Sequence, residues 1–246
     1  FNYIFHFAEV SGNKEWSKKN SFHQTLANLK INLNIISAWA KYQRNAKFIF
    51  VSSIWSYPLG KTFLQEKDYW SGMLNPETRH FGYNKKIATI LLETAKANFK
   101  LKATTLILGT VYGPGDLSDH FIPTIIRKMK NEKKVLKVYG SGNESRDFIF
   151  IDDQVKGIFS HRNCNEEIIN IGTGKLTSIK KVIQISKKIM KFKQKIKFIR
   201  PKRSLDINRG MSIKKAKNLT GWSMKNKFIN LEKGLKKTIE DMYKNK

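Results

Sequence analysis

The stretch KFIFVSS, residues 47–53, is a short apolar run that ends in two serines. Its apolar residues are consecutive rather than alternating, and this pattern predicts a strand buried on both faces. Two further runs have the same character, namely YIFHFA (3–8) and TTLILG (104–109). The intervals between the three runs are long enough to hold helices. The order β-α-β-α-β therefore predicts a parallel sheet covered on both sides by helices.

Helical spacing is present in both intervals. In the first, apolar residues recur every three or four positions up to about residue 42: Leu26, Leu29, Leu33, Ile36 and Ala40. In the second, HFGYNKKIATILLE (80–93) has a polar start with a glycine and then apolar residues at helical spacing. Right-handed crossovers would make these units one half of a Rossmann-like, doubly wound α/β fold.

The sequence changes character after VYGPGD (111–116), where shorter strands and helices follow. We predict the remainder of a nucleotide-binding Rossmann domain over 1–112 and a smaller α+β substrate domain over 113–246. Strand 167–172 is expected to return to the core sheet. No G-x-G-x-x-G occurs in the sequence, although a dinucleotide-binding fold opens with such a turn. Because the chain starts at Phe1 rather than methionine, we expect the Rossmann domain to be N-terminally incomplete.

The net charge of +28 invites a nucleic-acid interpretation, which the composition does not favour. Only eight of the 47 basic residues are arginine, the side chain whose fork suits groove and phosphate recognition. The lysines are spread along the chain, and a basic surface alone gives only non-specific affinity. We therefore expect no nucleic-acid partner and rank a basic nucleic-acid-binding protein as the weakest class. The same charge would attract anionic ligands such as nucleotide sugars.

Other global features narrow the class of protein. Cys164 is the only cysteine, so no internal disulfide is possible and a reducing compartment is favoured. No run of eighteen apolar residues is present, and the first ten residues lack the pattern of a signal peptide. These features predict a cytoplasmic protein without a membrane partner. We predict no metal site.

Several motifs occur along the chain in a fixed order: IFHFA, FVSSIWSYP, FGYNK, TVYGPGD, GSGNESRDFIFIDD, NIGTG and TGW. Together they resemble the extended short-chain dehydrogenase/reductase family, the NAD(P)-dependent nucleotide-sugar epimerases, dehydratases and reductases. The resemblance covers the whole chain except for the missing Gly-rich entry. It implies NAD or NADP as cofactor, a nucleotide-sugar substrate and a homodimer.

The resemblance assigns catalytic positions to the second strand and the second helix. FVSSIWSYP is similar to the strand that ends in the catalytic serine, here Ser53. FGYNK is similar to the Tyr-x-x-x-Lys helix, with Lys85 in place and Phe81 at the position of the tyrosine. Tyr83, two residues on, would lie on roughly the opposite face and is a doubtful substitute. Since proton transfer is worth about 10²–10⁴ in rate, we expect strongly reduced turnover in an intact fold.

Further positions follow from the same resemblance. Its implied cofactor contacts are Phe7, Ala8, Lys85, Thr110 and Val111, and its implied nucleotide-sugar contacts are Lys128, Tyr139, Arg146 and Arg209. Within the family the chain resembles the GDP-L-fucose synthases most, because DHFIPTIIRKM (119–129) is similar to the motif that places an epimerisation histidine at His120. The stretch after Ser53 departs from that group, since no cysteine follows two residues later.

Each assigned residue also has an ordinary structural alternative. Lys85 is alternatively a solvated helix lysine, Ser53 a turn serine and His120 a helix cap. The arginines are alternatively members of surface ion pairs. Two functions remain open: an NAD(P)-dependent epimerase/reductase acting on an NDP-4-keto-hexose, and a non-catalytic relative that serves as a nucleotide-sugar-binding or partner subunit.

Overall fold

The computed structural model describes residues 1–199, 208–222 and 228–244. Its strands are β1 (Tyr3–His6), β2 (Lys47–Ser53), β3 (Phe63–Leu64), β4 (Ala103–Leu108), β5 (Thr110–Tyr112), β6 (Val135–Tyr139), β7 (Ser145–Arg146), β8 (Phe148–Phe150), β9 (Ile168–Ile171), β10 (Thr177–Ser178), β11 (Lys195–Ile199) and β12 (Gly210–Met211). Its helices are α1 (Lys14–Lys19), α2 (Ser21–Tyr42), α3 (Arg79–Phe99), α4 (Phe121–Asn131), α5 (Ile151–Ser160), α6 (Ile179–Ile189), α7 (Lys214–Thr220) and α8 (Leu231–Lys244). Short 3₁₀ turns lie at Ile54–Ser56 and Glu66–Asp68.

The central sheet has the strand order β1-β2-β4-β9, and every pairing in it is parallel. This arrangement confirms the predicted Rossmann-like α/β class. The strand β9 pairs with β4 from Thr105↔Ile168 to Leu108↔Ile171, so the chain returns to this sheet after a long excursion. Phe48, Leu106 and Ile169 are fully buried, as strands covered on both faces require.

The strand β1 is shorter than the predicted run of residues 3–8. Its pairing with β2 ends at His6↔Phe50, so Phe7 and Ala8 lie beyond the strand. The chain leaves the sheet here because its next backbone groups bond to α2. The amide of Val10 donates to the Asn28 side chain, which returns a bond to the Val10 carbonyl.

The helix α2 buries a largely polar face. Its buried positions are Gln24, Asn28, Asn32, Ile36 and Trp39. The amides have partners, since Asn32 bonds to His6 and Asn28 bonds to Val10, as buried polar groups require. Of the predicted apolar set, Leu26 and Leu33 point to the surface and are 41% and 45% exposed. The apolar period thus located the helix, but three of its five buried side chains are amides held by hydrogen bonds.

The second half of the chain has its own core, which β6, β8, α4, α6 and α8 build around a shared set of apolar residues. That set includes Ile126, Leu136, Phe150, Val182 and Leu235. The pairs β5–β8 and β12–β3 connect this half to the central sheet and to the loop after β2. Within the described ranges, no helix combines the length and the apolar character needed to cross a bilayer.

Candidate active site

The carboxyl end of β2 continues into a short turn that supports the site. Ser53 ends the strand and caps the 3₁₀ turn, because its Oγ accepts a hydrogen bond from the Trp55 amide at 3.3 Å. Parallel sheets of this kind bind ligands beyond the carboxyl ends of their strands. Ser53 is therefore placed at the ligand-binding edge of the sheet with its side chain half-buried.

Lys85 extends from α3 onto the end of the same strand. Its Nζ donates to the Val51 carbonyl at 2.9 Å and lies 3.1 Å from Oε1 of Glu9, which follows β1. The Lys85 side chain is only 8% exposed, and its ammonium lies 5.1 Å from the ring centroid of Phe50. The structure thus contradicts the alternative of a solvated helix lysine at this position.

Burial shapes the electrostatics of this ion pair. Burial lowers the pKa of the Lys85 ammonium, and the nearby Glu9 carboxylate opposes that shift. Burial likewise raises the pKa of the Glu9 carboxyl, against the pull of Lys85. Desolvation disfavours the charged form of each group, so the proton affinities of the two groups lie closer together than they would in water.

The helix α3 presents Phe81 and Tyr83 on different sides. Phe81 is half-buried, and its ring centroid lies 5.8 Å from the Lys85 ammonium. Tyr83 is 43% exposed. This placement agrees with the expectation that Tyr83 does not reach the point where a hydroxyl at position 81 would lie. The phenol that the family motif would supply beside Lys85 is therefore replaced by a hydrocarbon ring.

A glycine allows α3 to approach the turn after β2. A Cβ on Gly82 would lie 2.9 Å from the Trp55 carbonyl oxygen and 2.7 Å from Cδ1 of Leu74. Contacts this short do not occur for real side chains, so only glycine permits this packing. The position of Phe81 and Lys85 relative to Ser53 depends on that close contact.

Two arginines lie against the indole of Trp55 on the same turn. The guanidinium carbons of Arg146 and Arg209 are 5.5 Å and 5.1 Å from its ring centroid. Nη2 of Arg209 also donates to the carbonyls of Ile54 at 3.1 Å and Tyr57 at 2.8 Å. Burial lowers the pKa of Arg209 to about 10, and the charge of Arg146 adds to the shift. Two guanidinium groups on one aromatic ring form a positive site suited to an anion.

The remaining predicted residues are on other elements. Thr110 and Val111 belong to β5, and Phe7 and Ala8 are exposed just past β1. His120 precedes α4 as its N-cap residue, exposed and without a side-chain capping bond.

Two of the predicted substrate contacts are on the surface of the second half. The ammonium of Lys128 lies 6.0 Å from the ring centroid of Tyr139, and both side chains are exposed. The structure thus gathers Ser53, Lys85, Arg146 and Arg209 around residues 51–58, whereas Lys128 and Tyr139 form a separate pair.

Sequence reasoning missed Glu9. Glu9 immediately follows the apolar run 3–8 that predicts a strand, and an acidic residue at such a place would lie near the ligand-binding edge of a parallel sheet, which is the signal that would have found it. Its partner could not be read from the sequence, because 76 positions separate Glu9 from Lys85 and only the packing of α3 joins them.

The residues at this edge fit the nicotinamide ribose of a dinucleotide. An ammonium has three N–H donors, and two on Lys85 have partners among the described residues, which leaves one for a ribose hydroxyl. A separate groove of about 480 Å³ lies between β1 and α2, and its lining includes Phe7 and Ala8 but neither Ser53 nor Lys85. The sequence contains no Gly-rich turn that would hold a pyrophosphate. The described residues therefore fit only the nicotinamide end of the cofactor.

Comparison with known proteins identifies the family of this chain. Residues 1–172 match the NAD dependent epimerase/dehydratase family, and the chain belongs to that family. It is 33% identical over 161 residues to the UDP-glucuronate 4-epimerase of Thermodesulfobacterium geofontis, covering 65% of this chain and 49% of that protein. It is 26% identical to the GDP-L-fucose synthase of Escherichia coli, covering 87% of this chain and 71% of that protein.

Among solved structures, the chain is similar to the UDP-glucose 4-epimerase of Thermotoga maritima, which was crystallised with UDP-glucose. The TM-score is 0.84 at 25% identity, and the match covers 99% of this chain and 77% of that one. The chain thus spans about half the length of the first relative named above and about three quarters of this structure.

Proposed function

We propose that this protein reduces the keto group of a nucleotide-linked 4-keto-hexose with a nicotinamide cofactor, NADH or NADPH. The observation that carries the proposal is the convergence of functional side chains on residues 51–55. Lys85 bonds to Val51, Ser53 caps the turn, and the two arginines lie on Trp55. One five-residue segment thus connects the predicted catalytic residues with a paired-arginine anion site.

In this proposal the residues have different tasks. Arg146, with the charge of the buried Arg209 beside it, supplies the positive charge that a sugar-linked diphosphate requires. The Ser53 hydroxyl would bond the sugar oxygen that gains or loses a proton. Lys85 holds the nicotinamide ribose through its remaining N–H and keeps positive charge beside the reacting oxygen. The cofactor, when bound, supplies the hydride.

A GDP-linked substrate is the finer proposal, and the motif around His120 supports it. His120 is exposed and its side chain makes no capping bond, so its imidazole is free for proton transfer at an adjacent sugar carbon. Relatives that act on UDP sugars are as similar as the GDP-L-fucose synthases. Both nucleotides are therefore needed in the assay.

A non-catalytic nucleotide-sugar-binding subunit is the second candidate, and Phe81 favours it. The substitution preserves packing beside Lys85 and removes the phenol that the family motif uses for proton transfer. Such a subunit would retain the arginine site, and it would bind a nucleotide sugar without turning it over.

The experiment follows oxidation of NADH and NADPH by the intact protein with a panel of GDP- and UDP-linked 4-keto sugars. Turnover of any member supports the first candidate. Saturable binding by calorimetry without turnover supports the second. The absence of both contradicts both candidates, provided that circular dichroism shows the protein to be folded.

We also propose a homodimer, as the family resemblance implies. The outer faces of α2 and α3, which pack against each other, carry exposed apolar side chains that would suit an interface. They include Leu26, Leu33, Ile87 and Ile90. Sedimentation equilibrium of the wild type and a Leu33→Lys/Ile87→Lys variant tests this assembly: a wild-type monomer contradicts it.

A further inference from the structure

Glu9 and Phe81 approach the same ammonium group from two elements. The Glu9 carboxylate follows β1 and lies 3.1 Å from Lys85 Nζ. The Phe81 ring lies on α3, one turn before the lysine, with its centroid 5.8 Å from the same atom. A carboxylate therefore lies beside Lys85, whereas the residue one turn earlier in α3 presents only a hydrocarbon ring to it.

The surroundings of Glu9 favour proton exchange. Its side chain is 21% exposed, so the carboxylate is largely shielded yet still open to a ligand or to water. Lys85 is the charged group that acts on it from α3. Burial lowers the pKa of the His6 imidazole on β1, and the charge of Lys85 adds to the shift, so the neutral form is favoured. From α2, the side chains of Asn32 and Asn28 bond to His6 and to the Val10 amide, respectively.

We propose that Glu9 is the acid/base residue of this site and performs the proton transfer for which Phe81 has no hydroxyl. This inference rests on the function proposed above. In the reducing direction a hydride from the reduced nicotinamide forms the new C–H bond at the keto carbon. The carbonyl π electrons move to oxygen, and that oxygen takes the proton from the Glu9 carboxyl. In the reverse direction the Glu9 carboxylate accepts the hydroxyl proton as the hydride leaves carbon.

The raised pKa of the Glu9 carboxyl is consistent with this role, because a general acid works best when its pKa is near the working pH. Lys85 then has two effects. It keeps Glu9 ionised for the reverse direction, and it stabilises negative charge on the sugar oxygen.

The test compares the wild type with Glu9→Gln, Phe81→Tyr and the double variant, using hydride transfer by the intact protein. Glu9→Gln is expected to lower kcat by about 100-fold or more, with a smaller change in KM. Phe81→Tyr in the Glu9→Gln background is expected to restore at least about 10-fold, because a phenol beside Lys85 takes over the proton. Glu15→Gln, an exposed glutamate on α1, is the matched control and should behave as wild type.

The outcomes separate this inference from the proposed function. A loss in Glu9→Gln that Phe81→Tyr does not relieve shows a charge partner of Lys85 only, and overturns the inference. An inactive wild type with an active Phe81→Tyr variant also overturns it, and favours the non-catalytic binding subunit over turnover by this protein. Inactivity of both contradicts the inference and the proposed function together.

A second readout does not depend on turnover. The Glu9 carboxyl can be titrated by carbon-13 NMR, with Glu9→Gln to assign its resonance. The inference expects a pKa above the ordinary glutamate value. A carboxyl that titrates at or below that value overturns it.

Discussion

The ring of Phe81 faces the ammonium of Lys85, with 5.8 Å between the ring centroid and Nζ. One helical turn separates the two residues, so a tyrosine at position 81 would direct its hydroxyl toward the same lysine. A phenol beside a buried ammonium ionises more readily, because the positive charge favours the phenolate. The site therefore retains the lysine of the family motif without the acid/base group of its helix.

Phe81→Tyr is expected to raise the rate of hydride transfer. In the wild-type background we expect a gain of about 10-fold, which is below the full worth of a proton-transfer group because Glu9 already acts there. Single-turnover kinetics with a saturating keto sugar measure the gain. Tyr83→Phe is the matched control on the exposed side of α3, and an equal effect in both variants would contradict the geometry.

Lys85→Met is expected to destabilise the fold as well as remove activity. It leaves Glu9 largely buried without its cation, and breaking such a pair costs about 3–5 kcal/mol. We expect the free energy of unfolding to fall by about 3 kcal/mol, at the low end of that range, because water reaches part of the Glu9 side chain. Urea denaturation at neutral pH measures this loss of stability. The Lys85→Met/Glu9→Gln variant should recover part of the loss, and strictly additive losses would show that the pair is not coupled.

Of the two arginines on Trp55, Arg209 is expected to support the stability of the fold and Arg146 the binding of the nucleotide sugar. Arg209 is buried and donates to backbone carbonyls of the turn, so Arg209→Met should lower the free energy of unfolding by about 2–4 kcal/mol. Arg146 is half-buried, so Arg146→Met should mainly raise the KM for the nucleotide sugar, by about 10-fold or more. Thermal unfolding and steady-state kinetics on both variants distinguish the two roles. Equal stability losses would contradict the distinction.

Lys47, at the start of β2, makes the stability of the fold depend on pH in the alkaline range. Its ammonium is buried and donates to the Cys164 carbonyl, and burial lowers its pKa to about 8. Between pH 8 and its ordinary value of 10.5 the unfolded chain binds more protons than the folded one, so this group makes stability rise with pH in that window.

Lys47→Met should therefore be at least as stable as the wild type at pH 7 and should lose the rise above pH 8. Thr104 also donates to the Cys164 carbonyl, so the substitution leaves that oxygen satisfied. Denaturation series at several pH values measure the effect. Lys30→Met, an exposed lysine on α2, is the control for the loss of one charge. A Lys47→Met profile that still rises like the control's would contradict the prediction.

The central sheet was predictable because consecutive apolar residues mark strands that are buried on both faces. That pattern located β2 and β4, and helical period located α2 and α3. The predicted extent of β1 was wrong: the strand ends at His6, because the chain beyond it hydrogen-bonds through Val10 to Asn28 of α2. Hydropathy contains no information about such side-chain bonds.

The candidate site was only partly predictable. The motif placed Ser53 and Lys85 at the end of β2, and their environment follows from the parallel topology. The Glu9–Lys85 pair and the stacking of Arg146 and Arg209 on Trp55 join residues that are far apart in the chain. Contacts of this kind depend on how helices and loops pack after the sheet has formed, and single-sequence periodicity does not determine them.

The central claim is that this protein transfers hydride to a nucleotide-linked keto sugar. The most direct measurement incubates the intact protein with reduced nicotinamide carrying deuterium at both C4 positions, together with the GDP- and UDP-linked 4-keto sugars, and examines the sugar product by mass spectrometry and NMR. We predict one deuterium on the former keto carbon, with formation slowed by Glu9→Gln and restored by Phe81→Tyr. A folded protein that leaves every keto sugar without deuterium, as wild type and as Phe81→Tyr, would contradict the account.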